Sequence, residues 1–367
     1  MGLSFQIYTE YSPSLLSHLS KDMNYLKLHN LHPYHAKFYP GIPLYFLQKY
    51  ATSTSLVLDP FCGSGTTLLE CNAQGLHSIG IDINFLSAKI SRAKTNIYDR
   101  HHIEKSITNI LNATDNTPIK FLDSDVWFTK DNYVDLCILF NAIQKIEDET
   151  YRNLFEVVLS SLLNKVCNKR NTWNLGYLSD NILPNKETKI SLKTEFEKKC
   201  TWLLSAIRET ENLTNRAAVY CSNAGTVQLD KKADIVITSP PYPFAVDFAR
   251  NNRLSYYLFN EDIEEATAAE TGARNKRNKR DCEHLFFEEM QVIYLNIMSQ
   301  VKQYGYFCMT VSDTKRKNQQ ISFVQWLLDL YTLNNWIVVE DTIRQLEHQS
   351  MGQKRITEEH LLVLQKQ

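Results

Sequence analysis

The sequence predicts an α/β protein with a doubly wound, mostly parallel sheet and a helical insertion. Three observations carry that reading. Short aliphatic runs alternate with helical apolar spacing up to about residue 98. The helical pattern then continues without strands to about residue 215, and strand-type runs return after it. One sheet is thus interrupted in sequence, and the chain divides into 1–99, 100–215 and 216–367.

In the first segment the spacing predicts a helix over Ile42 to Tyr50, a strand over Ser55 to Leu58 and a helix over Thr66 to Gln74. A strand in "HSIGIDIN" and a helix from Ala88 to Tyr98 follow. Strand, helix and strand at this spacing form a βαβ unit, so the sheet is parallel and the crossover right-handed. The middle segment carries helical apolar spacing in "YVDLCILFNAIQKI", "ETYRNLFEVVLSSLLNKVCN" and "KTEFEKKCTWLLSAIRETENL". A polar loop holding Pro184 separates the last two. In the third segment "AAVYCSNA", "ADIVITS", "GYFCMTVSD", "WIVVEDTI" and "HLLVLQK" read as strands. "HLFFEEMQVIYLNIMSQVKQY" and "SFVQWLLDLYTLN" supply the helices between them.

Composition narrows the function classes. The 367 residues are 43% hydrophobic and 22% charged, ordinary for a globular chain. The net charge of −1 excludes a broadly basic surface, so any nucleic-acid contact uses a local patch. No apolar run approaches the roughly 18 residues of a membrane span. The N-terminus lacks the basic start and apolar core of a signal peptide, and Gln6 stands where a myristoylation signal has Ser or Thr. Eight cysteines occur singly, without zinc spacing, which reads as reduced thiols in a cytoplasmic protein with no metal site.

Two motifs carry the chemistry. "VLDPFCGSGTTLLE" (57–70) stops a buried strand at Asp59 and enters a helix through Gly63 and Gly65. Glycine there permits close approach of backbone to backbone or to a ligand. "ADIVITSPPYPFAVDF" (233–248) delivers Thr238, Ser239, Pro240, Pro241 and Tyr242 to the end of another strand. Two adjacent prolines cannot continue a strand, so the segment is stiff and its carbonyls lack sheet partners. Ligands of open α/β sheets bind beyond the carboxyl ends of the strands, which makes the two motifs halves of one crevice. The glycine loop lets a cofactor lie against backbone. Ser239 Oγ, the Pro240 carbonyl and the Tyr242 ring offer two acceptors and a stacking face. That set suits a planar heterocycle with an exocyclic amine, whose two hydrogens are bound while the ring is stacked. Fixing them favours a tetrahedral nitrogen with its lone pair aimed at an electrophile.

"DPFCGSGT" together with "TSPPY" resembles the S-adenosylmethionine-dependent amino-methyltransferases of DNA, over roughly 30–98 and 216–367. The resemblance implies the class I methyltransferase fold, which is Rossmann-like, with S-adenosyl-L-methionine as cofactor. It also implies methyl transfer to a flipped-out base in double-stranded DNA. The Ser-Pro-Pro-Tyr form is more similar to the cytosine-N4 branch. Adenine N6 is the first alternative, and RNA amino-methylation, where Asn-Pro-Pro-Tyr motifs occur, the second. A restriction-modification setting follows, with a restriction endonuclease as candidate partner.

The family pattern assigns Asp59, Phe61, Gly63, Gly65 and Thr66 to the cofactor loop, and Asp82 in "GIDIN" to the ribose hydroxyls. Lys37 and Phe38 in "HPYHAKFYP" fall near the methionine end. Asn223 in "CSNA" stands where an acid often meets the adenine amine, and its amide oxygen can still accept. Ser239, Pro240, Pro241 and Tyr242 are the catalytic set.

DNA contact is expected from the insertion and from 260–284, since no large domain follows "HLLVLQK". Candidates are Lys169 and Arg170 beside Trp173, Arg250 and Arg253 on one helical face, and Arg274, Lys276, Arg277, Lys279 and Arg280. An internal Asp247–Arg pair is the alternative for the helical face, and a solvated, mobile loop for the acidic half of 260–284. Cys62 is not expected to act as a nucleophile, because C5 chemistry wants Pro-Cys at the second motif. His32 and His35 read as structural.

Overall fold

The computed structural model describes residues 24–34, 36–169, 184, 186–210, 213–214, 216–278, 280–316, 319–345 and 358–367. Helix α1 (Gly41–Tyr50) precedes strand β1 (Leu56–Asp59), helix α2 (Thr66–Ala73), strand β2 (His77–Asp82) and helix α3 (Phe85–Thr95). Helices α4 (Arg100–Leu111), α5 (Lys130–Gln144), α6 (Glu149–Val166) and α7 (Leu192–Arg208) form the helical block. Strands β3 (Ala217–Cys221) and β4 (Ala233–Thr238) resume the sheet, then helices α8 (Arg253–Phe259), α9 (Ile263–Ala269) and α10 (Cys282–Ser299). Strand β5 (Val301–Val311), the hairpin of β6 (Thr314–Arg316) and β7 (Gln319–Ile321), helix α11 (Phe323–Leu333), β8 (Trp336–Gln345) and β9 (Glu358–Lys366) complete the chain.

Seven strands form one sheet in the order β3-β2-β1-β4-β5-β9-β8. Strands β1 to β5 are mutually parallel, while β9 is antiparallel to both β5 and β8. The chain builds outward from β1 through β2 to β3, then returns to lay β4 against the other side of β1. This is a mostly parallel, doubly wound sheet, and the order reverses between β1 and β4. Ligands of such sheets bind at that reversal.

Local chemistry fixes the helix starts. Asn84, Asp99, Thr129, Asp148 and Ser191 each accept a hydrogen bond from a backbone N–H in the first turn of α3, α4, α5, α6 and α7. The helix expected through Tyr304 instead ends at Ser299, because Val301 already pairs with Ala233 on β4. The register shifts between Ala233 and Ile235, and Gly305 lies in the irregularity. A Cβ there would sit 2.8 Å from the Asp234 carbonyl oxygen, so only glycine fits. Helix α4 was not among the three helices expected of the insertion.

The helical block is not a free-standing appendage. Phe155, Val158, Leu162 and Leu203 share one buried core with Leu86, Ile90 and Ala93 of α3, and with Leu254 and Leu258 of α8. No helix among the described residues is long and apolar enough to cross a membrane.

Because that core is shared, Phe155→Ala is expected to cost about 3–5 kcal/mol by leaving a cavity. Urea unfolding followed by fluorescence and circular dichroism should shift as one transition. Two separated transitions would make the helical block an independent unit.

Candidate active site

A buried hydrogen bond joins the two motifs. Thr238 Oγ1 donates to Asp59 Oδ1 over 2.6 Å, and the same oxygen accepts from the Phe61 N–H at 3.2 Å. Asp59 is 2% exposed. Burial pushes its carboxyl up to about 6 against the opposing hydrogen bonds from Thr238, Thr67 and Phe61, and Asp82 adds to the rise. Asp59 therefore fastens β1 to β4 as well as lining the cleft.

The loop after it is tightly specified. Gly65 has φ +75°, and a Cβ there would lie 2.9 Å from Ser91 Cα on α3. Gly63 has φ +49°, while a Cβ at that position would meet only Tyr34 Cε1 at 3.7 Å and the Phe61 oxygen at 4.0 Å. Gly65 thus serves helix packing, and Gly63 leaves room on the cleft side. The Gly63 N–H donates to Asp82 Oδ2 at 2.8 Å, and the Asn84 N–H donates to Oδ1 at 2.8 Å. Each Asp82 oxygen keeps a further lone pair. Burial raises Asp82 to about 6, opposed by the Asn84 and Gly63 N–H groups and, more weakly, by the nearby Ser87 hydroxyl. Ile83 beside it is 40% exposed and lines the cleft with Phe61.

Cys62 is 5% exposed, and burial, then Asp82 and Asp59, push its thiol well above the ordinary range. It is in no state to act as a nucleophile.

Beyond β4, Ser239, Pro240, Pro241 and Tyr242 line the same cavity of about 330 Å³ as Asp59, Phe61, Gly63, Thr66, Asp82 and Asn223. The Tyr242 hydroxyl donates to Glu359 Oε1 at 2.9 Å. Burial and the Glu359 carboxylate hold that hydroxyl protonated, and the Thr310 and Ser239 hydroxyls act on it in the opposite sense. The ring is anchored at its far end and half-buried.

Residues 270–275 strap this segment down. The Phe244 N–H donates to the Gly272 oxygen at 2.8 Å, and the Arg274 N–H to the Val246 oxygen at 3.2 Å. Phe244 itself takes φ +56°, a conformation side chains rarely adopt. The Asn275 N–H donates to Asp247 Oδ1 at 2.8 Å. Glu270 accepts from the Phe248 N–H at 3.2 Å and also from the Ala249 N–H, capping the one-turn helix Phe248–Asn251. The acidic half of 260–284, expected as a solvated, mobile loop, instead forms α9, the basic half begins with a 3₁₀ turn (Arg274–Asn278), and Glu270, Thr271 and Gly272 between them line the cleft.

The N-terminal segment forms another wall. Tyr34 stacks on Phe248 at 5.7 Å and shares a 2.6 Å hydrogen bond with Ser87. Lys37 and Phe38 line the cleft, but the Lys37 ammonium donates to the His29 oxygen at 3.2 Å and to Asn30 Oδ1 at 3.3 Å. Asn223 lines the cleft too, with Oδ1 accepting from the Gly225 N–H at 2.7 Å. His32 is buried and bonded to Ser160 Oγ at 3.1 Å, a structural place. His35 lies outside the described residues.

The candidate DNA contacts scatter. Arg253 on α8 is buried, at 8% exposure, and so is badly placed for a phosphate. Arg250 faces Glu264 at 3.6 Å, and Asp247 Oδ1 accepts from the Asn275 N–H. Lys169 donates to the Asn164 oxygen, and Lys276 to the Ala268 oxygen at 2.9 Å. Arg274 and Arg277 are half-buried, while the Arg280 side chain is 96% exposed. Arg170, Trp173 and Lys279 lie outside the described residues.

Sequence reasoning missed Tyr34, Glu270, Thr310, Arg344 and Glu359, all of which line the cleft. The last two stand one residue beyond the expected strands "WIVVEDTI" and "HLLVLQK".

A family model described as DNA methylase, of the N6/N4 type, matches residues 16–92. Type II methyltransferase M.MjaII of Methanocaldococcus jannaschii is 21% identical over 87% of this chain and 78% of its own length. Type II methyltransferase M.MvaI of Kocuria varians is 28% identical over 65% of this chain and 59% of its own. Among solved structures, TrmN from Thermus thermophilus is similar with a TM-score of 0.38, 9% identity, and coverage of 94% and 52% of the two chains.

S-adenosyl-L-methionine is the cofactor that the DNA methylase model matching residues 16–92 implies, and the residues present fit it. Asp82 retains acceptor capacity for two hydroxyls, Phe61 and Ile83 offer apolar faces for a purine, and Gly63 leaves the backbone approachable.

Acceptance of two ribose hydroxyls requires ionised Asp82. Cofactor affinity, measured by calorimetry from pH 5 to 8, should fall as the pH drops through about 6. Asp82→Asn should weaken binding and remove most of that dependence. Fold stability without ligand runs the other way. A carboxyl raised from 3.8 to about 6 on folding contributes stability at low pH that is lost as the pH rises through about 6. An affinity profile flat across pH 6 would separate Asp82 from cofactor binding.

Proposed function

We propose that this chain, similar over residues 16–92 to a DNA methylase model of the N6/N4 type and more distantly to two Type II methyltransferases, is a site-specific DNA methyltransferase acting on the N4 amine of a flipped-out cytosine. One observation carries the reading: the Asp59–Thr238 bond puts the glycine loop and the Ser-Pro-Pro-Tyr segment side by side on one cavity.

S-adenosyl-L-methionine, when bound, supplies an electrophilic methyl group on a sulfonium. Ser239 Oγ and the Pro240 carbonyl accept the two amine hydrogens and so turn the nitrogen lone pair out of conjugation with the ring. Tyr242, fixed by Glu359, provides the stacking face. The rigid Pro240–Pro241 pair fixes the Pro240 carbonyl and the backbone that carries Ser239, so little of the geometry has to be ordered when the base arrives. No nucleophilic side chain is needed. A base must leave the helical stack to reach such a cavity. Serine at the head of the motif supports cytosine over adenine.

DNA recognition is assigned to the helical block of 100–215 and to Arg280, which lies beyond the strap and 3.6 Å from Asp281. An exposed guanidinium there suits a phosphate. A cytoplasmic setting and pairing with a restriction endonuclease belong to the same reading.

The defining experiment incubates the protein with methyl-labelled S-adenosyl-L-methionine and genomic DNA, and identifies the labelled nucleoside by mass spectrometry. N4-methylcytosine is expected. N6-methyladenine would overturn the base assignment, and label confined to RNA run in parallel would overturn DNA as substrate. Ser239→Ala is expected to lower kcat by about 10²-fold, as loss of an aimed hydrogen-bonding group does. Its cofactor affinity should stay within about twofold. Equal losses in both would remove Ser239 from the reacting centre.

A further inference from the structure

One cation in the cleft has no part in the reading above. Arg344 and Lys37 are the two cationic side chains among the described residues lining the cavity, and the Lys37 ammonium is turned onto the His29 oxygen and Asn30 Oδ1. Arg344 lies directly opposite Glu359 in the antiparallel β8–β9 pairing. Its Nη1 is 3.7 Å from Glu359 Oε2, and its guanidinium carbon lies 5.4 Å from the centre of the Tyr39 ring. Glu359 is also the group that accepts from the Tyr242 hydroxyl. One carboxylate therefore ties the stacking ring of the base half to a half-buried fork of N–H donors.

A base held by its amine at Ser239 and Pro240 presents the rest of that edge to whatever comes next. In cytosine the amine is followed by two adjacent acceptors, N3 and O2. In adenine it is followed by N1 and then by a C–H, with no second acceptor. A planar fork with parallel N–H groups matches two adjacent acceptors.

We propose that Arg344 is a specificity residue that donates to N3 and O2 of the flipped cytosine, with Glu359 as the residue that positions both it and Tyr242. The proposal rests on the cytosine-N4 reading, which the same experiment tests separately. It gives Glu359 a reason to be in a cavity that holds Asp82 and Glu270 as well: its charge is matched by Arg344 at the base half.

The test uses a duplex carrying the site mapped by sequencing DNA methylated by this protein. A matched duplex carries 2′-deoxy-3-deazacytidine at the target position, which keeps the amine and O2 but replaces N3 by C–H. Wild type, Arg344→Ala and Arg344→Lys are compared for kcat/KM on both duplexes, with cofactor affinity measured by calorimetry as the check of an intact fold. Wild type is expected to lose roughly 10- to 100-fold on the analogue, the size of a bidentate contact to a base. Arg344→Ala should lose a similar factor on cytosine and little more on the analogue, with cofactor affinity within about twofold. Arg344→Lys should fall between them. Losses that multiply would show that Arg344 and N3 do not interact, and would remove the assignment while leaving N4-methylcytosine formation intact. A cofactor affinity lowered tenfold or more by Arg344→Ala would move the residue to the cofactor half and likewise overturn the proposal. N6-methyladenine as wild-type product would overturn this proposal and the cytosine reading together.

Discussion

The 2.6 Å hydrogen bond from Thr238 to Asp59 is the contact on which the site depends. It closes the carboxyl ends of two parallel strands that are far apart in sequence and paired through Val57–Ile235 and Leu58–Val236. Both partners are buried, Thr238 at 0% and Asp59 at 2% exposure. A buried carboxyl is costly unless hydrogen-bonded, so the fold gains from keeping this pair together. With the pair in place, the glycine loop turns toward one side of the strand ends and the Pro-Pro segment toward the other. The cavity is the space left between them.

The second constraint is the strap of residues 270–275. Its backbone bonds to Phe244 and Val246 follow the Ser-Pro-Pro-Tyr segment along most of its exit, and Gly272 is enforced there by φ +66° and by Phe286, 2.7 Å from where a Cβ would be. Glu270 then sits 6% exposed at the cleft. Burial raises it to about 8, with Asp247 and Asp82 adding and the Ala249 and Phe248 N–H groups opposing. Glu270 is therefore largely protonated near neutral pH, Asp82 beside the glycine loop carries the negative charge there, and Arg344 balances Glu359. Part of the segment read from sequence as a solvated and DNA-contacting loop is thereby part of the wall of the site.

The helical block covers α3, the helix whose Ser91 abuts Gly65 and donates to the Gly63 oxygen at 2.9 Å. Its packing therefore reaches the glycine loop through a single layer. This gives the shared core of Phe155, Ile90 and Leu254 a functional meaning: it fixes the helix on which the cofactor loop rests.

Much was legible in advance because its causes are local. Gly63 and Gly65 mark a turn no other residue takes easily, and two prolines stop β4 whatever surrounds them; the caps Asn84 and Asp99 are equally local, yet apolar spacing alone began α3 at Ala88 and passed over α4. The alternation of strands and helices fixed a parallel, doubly wound sheet, and the two motifs named both halves of the cleft. What the tertiary structure alone decided is non-local. Arg253 and Lys169 look like exposed basic residues in sequence, and only packing turns them inward or onto backbone oxygens. Val301 to Tyr304 carry helical spacing, yet pairing with β4 makes them strand. Arg344 and Glu359 lie outside any motif. They meet because two antiparallel strands place them in register, and register is set by the whole sheet and not by either strand's own residues.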